Sequence, residues 1–397
     1  MEKYKRIFVI VMDSVGVGND PKANLYNDEG ANTLLHTIEF NKGINIPTLE
    51  KLGIGDFVDT KYIKKVNHEN SFTAFLDEAS IGKDTMTGHW EMMGIKTTSP
   101  FVTFTDTGFP AVLIEELEQK TGHKIIGNYA ASGTEIIKQL GEQQVKENSL
   151  IVYTSADSVL QIAAHEEVTG LNELYRCCEI AREICLRPEY KVGRIIARPY
   201  LGTNKDNFKR TSNRHDLALK PPYRTVMNVL NDNGITVSCV GKINDIFDGY
   251  GVTITQKSKS NIDGMNITLS IAKDDNFKQG LCFVNLVEFD SEYGHRRDAK
   301  GYGKALEDFD KQLEQLVNII NDDDLLLITA DHGNDPLHHG TDHTRERVPL
   351  IAYSKSIING KFIGVRNSFA DIGATILSNF SLELPTNLIG EPIKELF

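Results

Sequence analysis

The sequence predicts an α/β fold, a sheet flanked by helices, and three observations predict it. Short apolar runs rich in β-branched residues break off abruptly at aspartates, their apolar character is continuous rather than alternating, and segments of helical period lie between them. A strand covered on both faces reads in this way, and alternation of strands with helices is the pattern of an α/β sheet.

The elements follow in chain order. RIFVIVM (6–12) is a first strand ending at Asp13, and VLIEELEQKTG (112–122) is a helix. LIVYTSA (150–156) is a strand before Asp157, followed by the helical segment LNELYRCCEIAREICL (171–186) and by RIIARPY (194–200), strand-like and half-burying Arg194 and Arg198. CFVNLVEF (282–289) reads as a strand up to Asp290, KALEDFDKQLEQLVNII (304–320) as a helix, LLLITA (325–330) as a strand before Asp331, and VPLIAY (348–353) as the last strand. In open sheets of this kind ligands gather beyond the carboxyl ends of the strands, where Asp13, Asp290 and Asp331 are expected to fall.

At 397 residues the chain exceeds the usual size of one hydrophobic core, so two domains are expected. Between Arg187 and Arg224 there are ten Lys or Arg against three Asp or Glu, inside a chain of net charge −12. This basic, loop-rich stretch runs into Pro221 and Pro222, which suit a junction between an inserted domain and the core. The expected division is a core over 1–100 and 221–397 with an inserted cap over 101–220.

The acidic balance opposes nonspecific attraction to nucleic acid or anionic membrane, since both need basic surface. The apolar run before Asp13 is too short for a signal segment, and no later run approaches membrane-spanning length. Cys177, Cys178, Cys185, Cys239 and Cys282 are odd in number and lack CxxC spacing, which suggests a reducing compartment. A soluble, cytoplasmic protein is expected, with no nucleic-acid, membrane or obligate protein partner.

The chemistry concentrates in ITADHGNDPLHHGTDHTRERVPL (328–350), where four histidines and three aspartates fall within thirteen positions. Asp331, His332 and His343 from this loop, Asp290 and His295 from FDSEYGH, and Asp13 make six metal-grade side chains. Carboxylate with imidazole suits Mn, Zn or Fe better than Ca or Mg. Six ligands divided three and three would hold two ions about 3.5–4 Å apart, a spacing that clamps the attacking and leaving oxygens of a phosphoryl displacement. A lone strand-end Asp is ordinarily a cap and a lone His an ordinary polar residue, but six at several strand ends exceed what capping needs. Spacing leaves His339 and His343 as alternatives.

GKDTMTGHWEMMG (82–94) sets Asp84, Thr85 and Thr87 ahead of a run able to start a helix, whose first N–H groups favour an anion. Either threonine is placed as a nucleophile or as a cap. There is no P-loop, HEEVT (165–169) lacks the second histidine of HExxH, VGVGND is followed by Pro21 where a dinucleotide fingerprint needs glycine, and GxSxG does not occur.

VMDSVGVG at Asp13, KDTMTGHWEMMG at Thr85, DSEYGHRRD (290–298), TADHGNDP (329–336) and GTDHTRERVPL (340–350) together resemble the phosphopentomutase family of the alkaline phosphatase superfamily. The resemblance runs essentially the whole chain, and SADSVLQIAAHEE and GRIIARPY resemble that family's inserted cap. It implies an alkaline-phosphatase-like core with a central, mostly parallel sheet and a smaller inserted α/β cap domain. It also implies an isomerase that interconverts α-D-ribose 1-phosphate and D-ribose 5-phosphate, and the 2-deoxyribose pair, through a phosphoenzyme and a 1,5-bisphosphate. On this resemblance Asp13, Asp331 and His332 would hold one Mn²⁺ and Asp290, His295 and His343 the other, with Thr85 as the phosphorylated nucleophile. In the cap, Ser155 and Asp157 would face the sugar, and Arg194, Arg210, Arg214 and Lys242 would grip the distal phosphate. A sugar bisphosphate, glucose 1,6-bisphosphate or ribose 1,5-bisphosphate, would prime the resting enzyme.

Overall fold

The computed structural model describes residues 3–155 and 158–397; Asp157 lies outside them. The chain forms two compact units, one of Met1–Thr98 with Lys220–Phe397 and one of Ser99–Leu219. In chain order the larger unit contributes β1 (Arg6–Met12) and β2 (Ser71–Leu76). The smaller unit contributes β3 (Ile125–Ala130), β4 (Leu150–Thr154), β5 (Val159–His165), β6 (Arg194–Leu201), β7 (Lys209–Arg210) and β8 (His215–Ala218). The larger unit resumes with β9 (Thr236–Val240), β10 (Ile254–Gln256), β11 (Gly280–Leu286), β12 (Asp324–Thr329), β13 (Val348–Tyr353) and β14 (Phe362–Arg366).

The larger sheet has eight strands in the order β10-β9-β11-β1-β12-β13-β2-β14. Its pairings are parallel except where β13 meets β12 and β2. The central strands β1, β11 and β12 are buried at every residue, which is why their sequences carry no polar alternation. Because β13 runs back antiparallel beside β12, the histidine-rich loop joining them lies at the carboxyl end of β12. The lower edge is tied by a buried bidentate pair, Arg6 Nε and Nη2 donating to Asp324 Oδ1 and Oδ2 at 2.8 and 2.6 Å.

One expected element is corrected. The apolar run CFVNLVEF extends to Phe289, but β11 ends at Leu286 and Phe289–Gly294 winds as a π-helix. The neighbours of β11 have run out by then, since its last partners are Val240 on β9 and Met12 on β1. Beyond that point Glu288 and Asn261 satisfy each other, each side chain accepting from the other's backbone N–H, so continuation of the strand has no ladder to join.

In the smaller unit the strands run β3-β4-β5-β6-β7, with β8 also on β6. One face packs Leu113, Leu117, Leu174 and Ala181 from the helices Ala111–Thr121 and Leu171–Ile184. The opposite face packs Ile136 and Ile137 from the helix Gly133–Glu147 against Tyr153 and Tyr200. All five cysteines are buried and free. Among the described residues no helix is long and apolar enough to cross a membrane.

Candidate metal centre

The register of the larger sheet assembles the site. Val11 on β1 pairs with Thr329 on β12 and with Asn285 on β11, so Asp13 and Asp331, each two residues further on, emerge side by side. Ser14 follows in the left-handed region (φ 73°), its N–H donating to Asp331 Oδ1 at 3.0 Å and its hydroxyl pairing with Tyr302 at 2.9 Å. This turn pins one carboxylate against the other.

His332 completes the first cluster. Its Nδ1 lies 3.0 Å from the Gly333 carbonyl, which can only accept, so the proton sits there and the Nε2 lone pair faces the carboxylates. Nε2 is 3.5 Å from Asp13 Oδ1 and 3.3 Å from Asp331 Oδ2. Both oxygens are buried without a hydrogen bond among the described residues, and only Asp331 Oδ2 has a further imidazole near it, His89 Nδ1 at 3.2 Å. Unpartnered carboxylate oxygens at such depth are costly unless a cation meets them, so this donor set fits a divalent metal.

The second cluster follows from the π-helix. Its wide turn bonds the His295 N–H to the Asp290 carbonyl at 3.0 Å and brings these residues, five apart, to one side. His295 Nε2 is 3.1 Å from Asp290 Oδ2 and 3.1 Å from His343 Nε2, and His343 Nε2 is 3.5 Å from Asp290 Oδ1. His332 and His343 stack with ring centroids 4.0 Å apart. Asp13, Asp331 and His332 form one group whose ligand atoms lie within 4.8 Å of one another, and Asp290, His332 and His343 form another, so His332 stands at the junction.

Electrostatics report the crowding. Burial, then the charges of Asp331 and Asp290, push the Asp13 carboxyl well above its usual range. Burial pushes Asp290 upward too, but the His343 and His295 imidazoles outweigh it and hold that group well below the carboxylate range. Three acidic groups thus compete for the few positive charges at hand, a deficit that bound cations would remove.

The helix Thr85–Met92 brings the hydroxyl. Asp84 is its N-cap, accepting from the Thr87 N–H at 3.0 Å and the Thr87 hydroxyl at 2.6 Å. Thr87 is therefore a buried capping partner, whereas Thr85 Oγ1 lies 3.1 Å from His332 Nε2, at the cluster. The structure also sets His339 and His343 apart. His339 Nε2 lies 2.8 Å from the Asn27 carbonyl, on an exposed rim, while His343 faces His295 and Asp290.

Three contributors escape sequence reasoning. Asn285 Nδ2 donates to Asp13 Oδ2 at 2.8 Å, and Asn334 Nδ2 donates to Asp290 Oδ1 at 2.8 Å, so each cluster has an amide that orients a carboxylate. His89, fully buried, places Nδ1 2.9 Å from the Thr85 carbonyl and 3.2 Å from Asp331 Oδ2. Neighbours of this kind typically set metal affinity by about 10–100-fold. Asn285→Ala is expected to weaken divalent-metal binding by about that factor, read by titrating chelator-treated protein, with the melting temperature moved by only a few degrees.

The predicted residues Ser155, Arg194, Arg210 and Arg214 belong to the smaller unit. Ser155 is partly buried, its carbonyl accepting from Thr105 Oγ1 at 2.8 Å. Arg194 opens β6 half-buried, Arg210 is exposed on β7, and Arg214 is engaged by Asp216. Burial and the neighbouring Arg214 and Arg210 depress Arg198, so guanidinium groups gather on this unit. Lys242 belongs to the larger unit, two positions past β9, and is exposed.

A family model described as the metalloenzyme superfamily matches residues 5–384. The phosphopentomutase of Clostridium tetani is 56% identical over 397 residues, covering 100% of this chain and 99% of that protein. The phosphopentomutase of Clostridium botulinum is 56% identical over 395 residues, covering 100% and 99%. Among solved structures, the PH0037 protein of Pyrococcus horikoshii superposes with a TM-score of 0.50 at 12% identity, over 97% of this chain and 99% of that one, a likeness of fold.

Proposed function

Because the chain belongs to the metalloenzyme superfamily and, within it, to the phosphopentomutase family, we propose that it interconverts α-D-ribose 1-phosphate and D-ribose 5-phosphate, and the 2-deoxyribose pair. In this reading Thr85 carries the phosphoryl group between turnovers, passes it to the incoming monophosphate, and takes back the other phosphate of the resulting 1,5-bisphosphate. Glucose 1,6-bisphosphate or ribose 1,5-bisphosphate primes Thr85. Asp13, Asp331 and His332 would hold one Mn²⁺, and Asp290, His295 and His343 the other. When bound, the ions would neutralise negative charge on the transferring oxygens and lower the cost of ionising the threonine hydroxyl.

The protein's own groups do the rest. The positive end of the helix Thr85–Met92 favours a phosphoryl group on its first residue. Asp84, by capping Thr87, holds that turn and keeps the second hydroxyl out of the chemistry. Ser155 and Asp157 are assigned to the sugar, and Arg194, Arg210, Arg214 and Lys242 to the far phosphate, for which planar guanidinium forks are well suited. Free buried thiols suit the reducing cytoplasm.

The observation that carries the reading is the 3.1 Å approach of Thr85 Oγ1 to His332 Nε2, the imidazole common to both acidic clusters. Incubation with ribose 5-phosphate, Mn²⁺ and a catalytic amount of glucose 1,6-bisphosphate is expected to yield ribose 1-phosphate with little inorganic phosphate. Dominant phosphate release would instead make the protein a hydrolase, and turnover of 3-phosphoglycerate alone would overturn the substrate assignment.

A further inference from the structure

The smaller unit brings together His123, Glu173 and Cys177, and we propose that these three residues form a separate site for a zinc-class divalent ion. Glu173 and Cys177 are four apart on the helix Leu171–Ile184 and share a face, while His123 reaches in from the loop after the helix Ala111–Thr121. One nitrogen, one oxygen and one sulfur ligand atom lie within 4.8 Å of one another. His123 Nε2 is 3.0 Å and Cys177 Sγ 3.7 Å from Glu173 Oε1. With Zn–N, Zn–O and Zn–S bonds of about 2.0–2.3 Å, a tetrahedral ion spaces its ligand atoms roughly 3.3–3.8 Å apart, so the trio needs only small side-chain adjustment.

The hydrogen-bond pattern points the same way. His123 Nδ1 is 2.8 Å from the Asn148 carbonyl, which only accepts, so Nδ1 bears the proton. In the neutral ring Nε2 is then a lone pair facing a carboxylate oxygen, and two acceptors at 3.0 Å need something positive between them, a second proton or a metal. A carbonyl-anchored imidazole is also the usual support of a ligating histidine. Arg176 fixes the carboxylate through Nε and Nη2 at 2.9 and 2.6 Å. The side chains of His123 and Glu173 are 14% and 33% exposed, which leaves a mouth for the ion and a water, while Cys177 closes the floor at 0%. Burial pushes the Cys177 thiol up to about 12, so metal binding releases its proton. The sulfur sets this donor set apart from the oxygen and nitrogen centre of the larger unit and favours Zn²⁺ or Co²⁺ over Mn²⁺.

Titrating chelator-treated full-length protein with Co²⁺ tests this, because only a cysteine thiolate gives an intense near-ultraviolet sulfur-to-cobalt band. The band is expected to appear and saturate as Co²⁺ is added, to bleach on adding Zn²⁺, and to vanish in Cys177→Ser, while ribose 5-phosphate turnover is unchanged. His123→Gln, on a partly exposed loop, is expected to weaken Co²⁺ binding by at least about tenfold, and it carries the comparison should Cys177→Ser fail to fold. No band in the wild type, a band of equal size in Cys177→Ser, or an unaltered affinity in His123→Gln overturns the site. None of these readouts depends on the mutase reading.

Discussion

Thr85→Ala is expected to reduce pentose phosphate turnover by at least about 10³-fold while Mn²⁺ content stays near that of the wild type. Removing a nucleophile eliminates the covalent route itself, and such losses commonly reach several orders of magnitude in kcat. The variant should fold, because the cap of this helix is Asp84 and its partner is Thr87, neither of which is altered. Thr85 contributes one side-chain contact, to His332, so the stability change should stay within about 1 kcal/mol. Thr87→Ala is the informative control. It breaks the 2.6 Å bond to Asp84 and should cost about 1 kcal/mol of stability, yet leave a phosphorylatable hydroxyl at position 85. Intact mass after incubation with glucose 1,6-bisphosphate separates the two, with one added phosphate on Thr87→Ala and none on Thr85→Ala. A phosphate retained on Thr85→Ala would place the nucleophile elsewhere, and a metal-free Thr85→Ala would make the loss structural.

How much of this was readable beforehand depends on the range of the interaction. Asp13 and Asp331 were legible because a strand buried on both faces must be apolar throughout, so the first carboxylate after it marks the sheet edge where sites form. Strand ends from parallel neighbours necessarily meet there, and no register had to be known. Asn285 is different. It sits inside an apolar strand, and only the pairing of Val11 with Asn285 reveals that its amide points at Asp13. His89 hides in the same way within a helix, where one buried histidine reads as core. Val287–Phe289 reads as strand because local hydrophobicity continues past the point at which the neighbouring strands stop, although β11 ends at Leu286. Composition carries no information about where a partner ends.

Gly88 supplies the second large effect, and its reason lies wholly in the packing. A Cβ built on Gly88 would stand 2.1 Å from the Asp331 carbonyl oxygen and 2.9 Å from the carbonyl carbon, both backbone atoms at the end of β12. A flexible side chain could swing aside, but a strand end held by the Ser14 N–H on Asp331 Oδ1 has little room to yield. Relief requires the helix Thr85–Met92 to move outward by about 1 Å, against a face on which Trp90 and Met92 are buried. Gly88→Ala is therefore expected to cost about 3 kcal/mol or more, at the upper end for overpacking and outweighing the helix propensity that alanine adds. The same displacement carries Thr85 away from His332 and His89 away from Asp331. A shift of that size can reduce turnover about 10²-fold without touching a reacting group. Denaturant unfolding measures the first effect and Mn²⁺-saturated turnover the second. A Gly88→Ala protein with wild-type stability and kcat would show that this helix does not approach β12 as closely as the site requires, and the placement of Thr85 would fall with it.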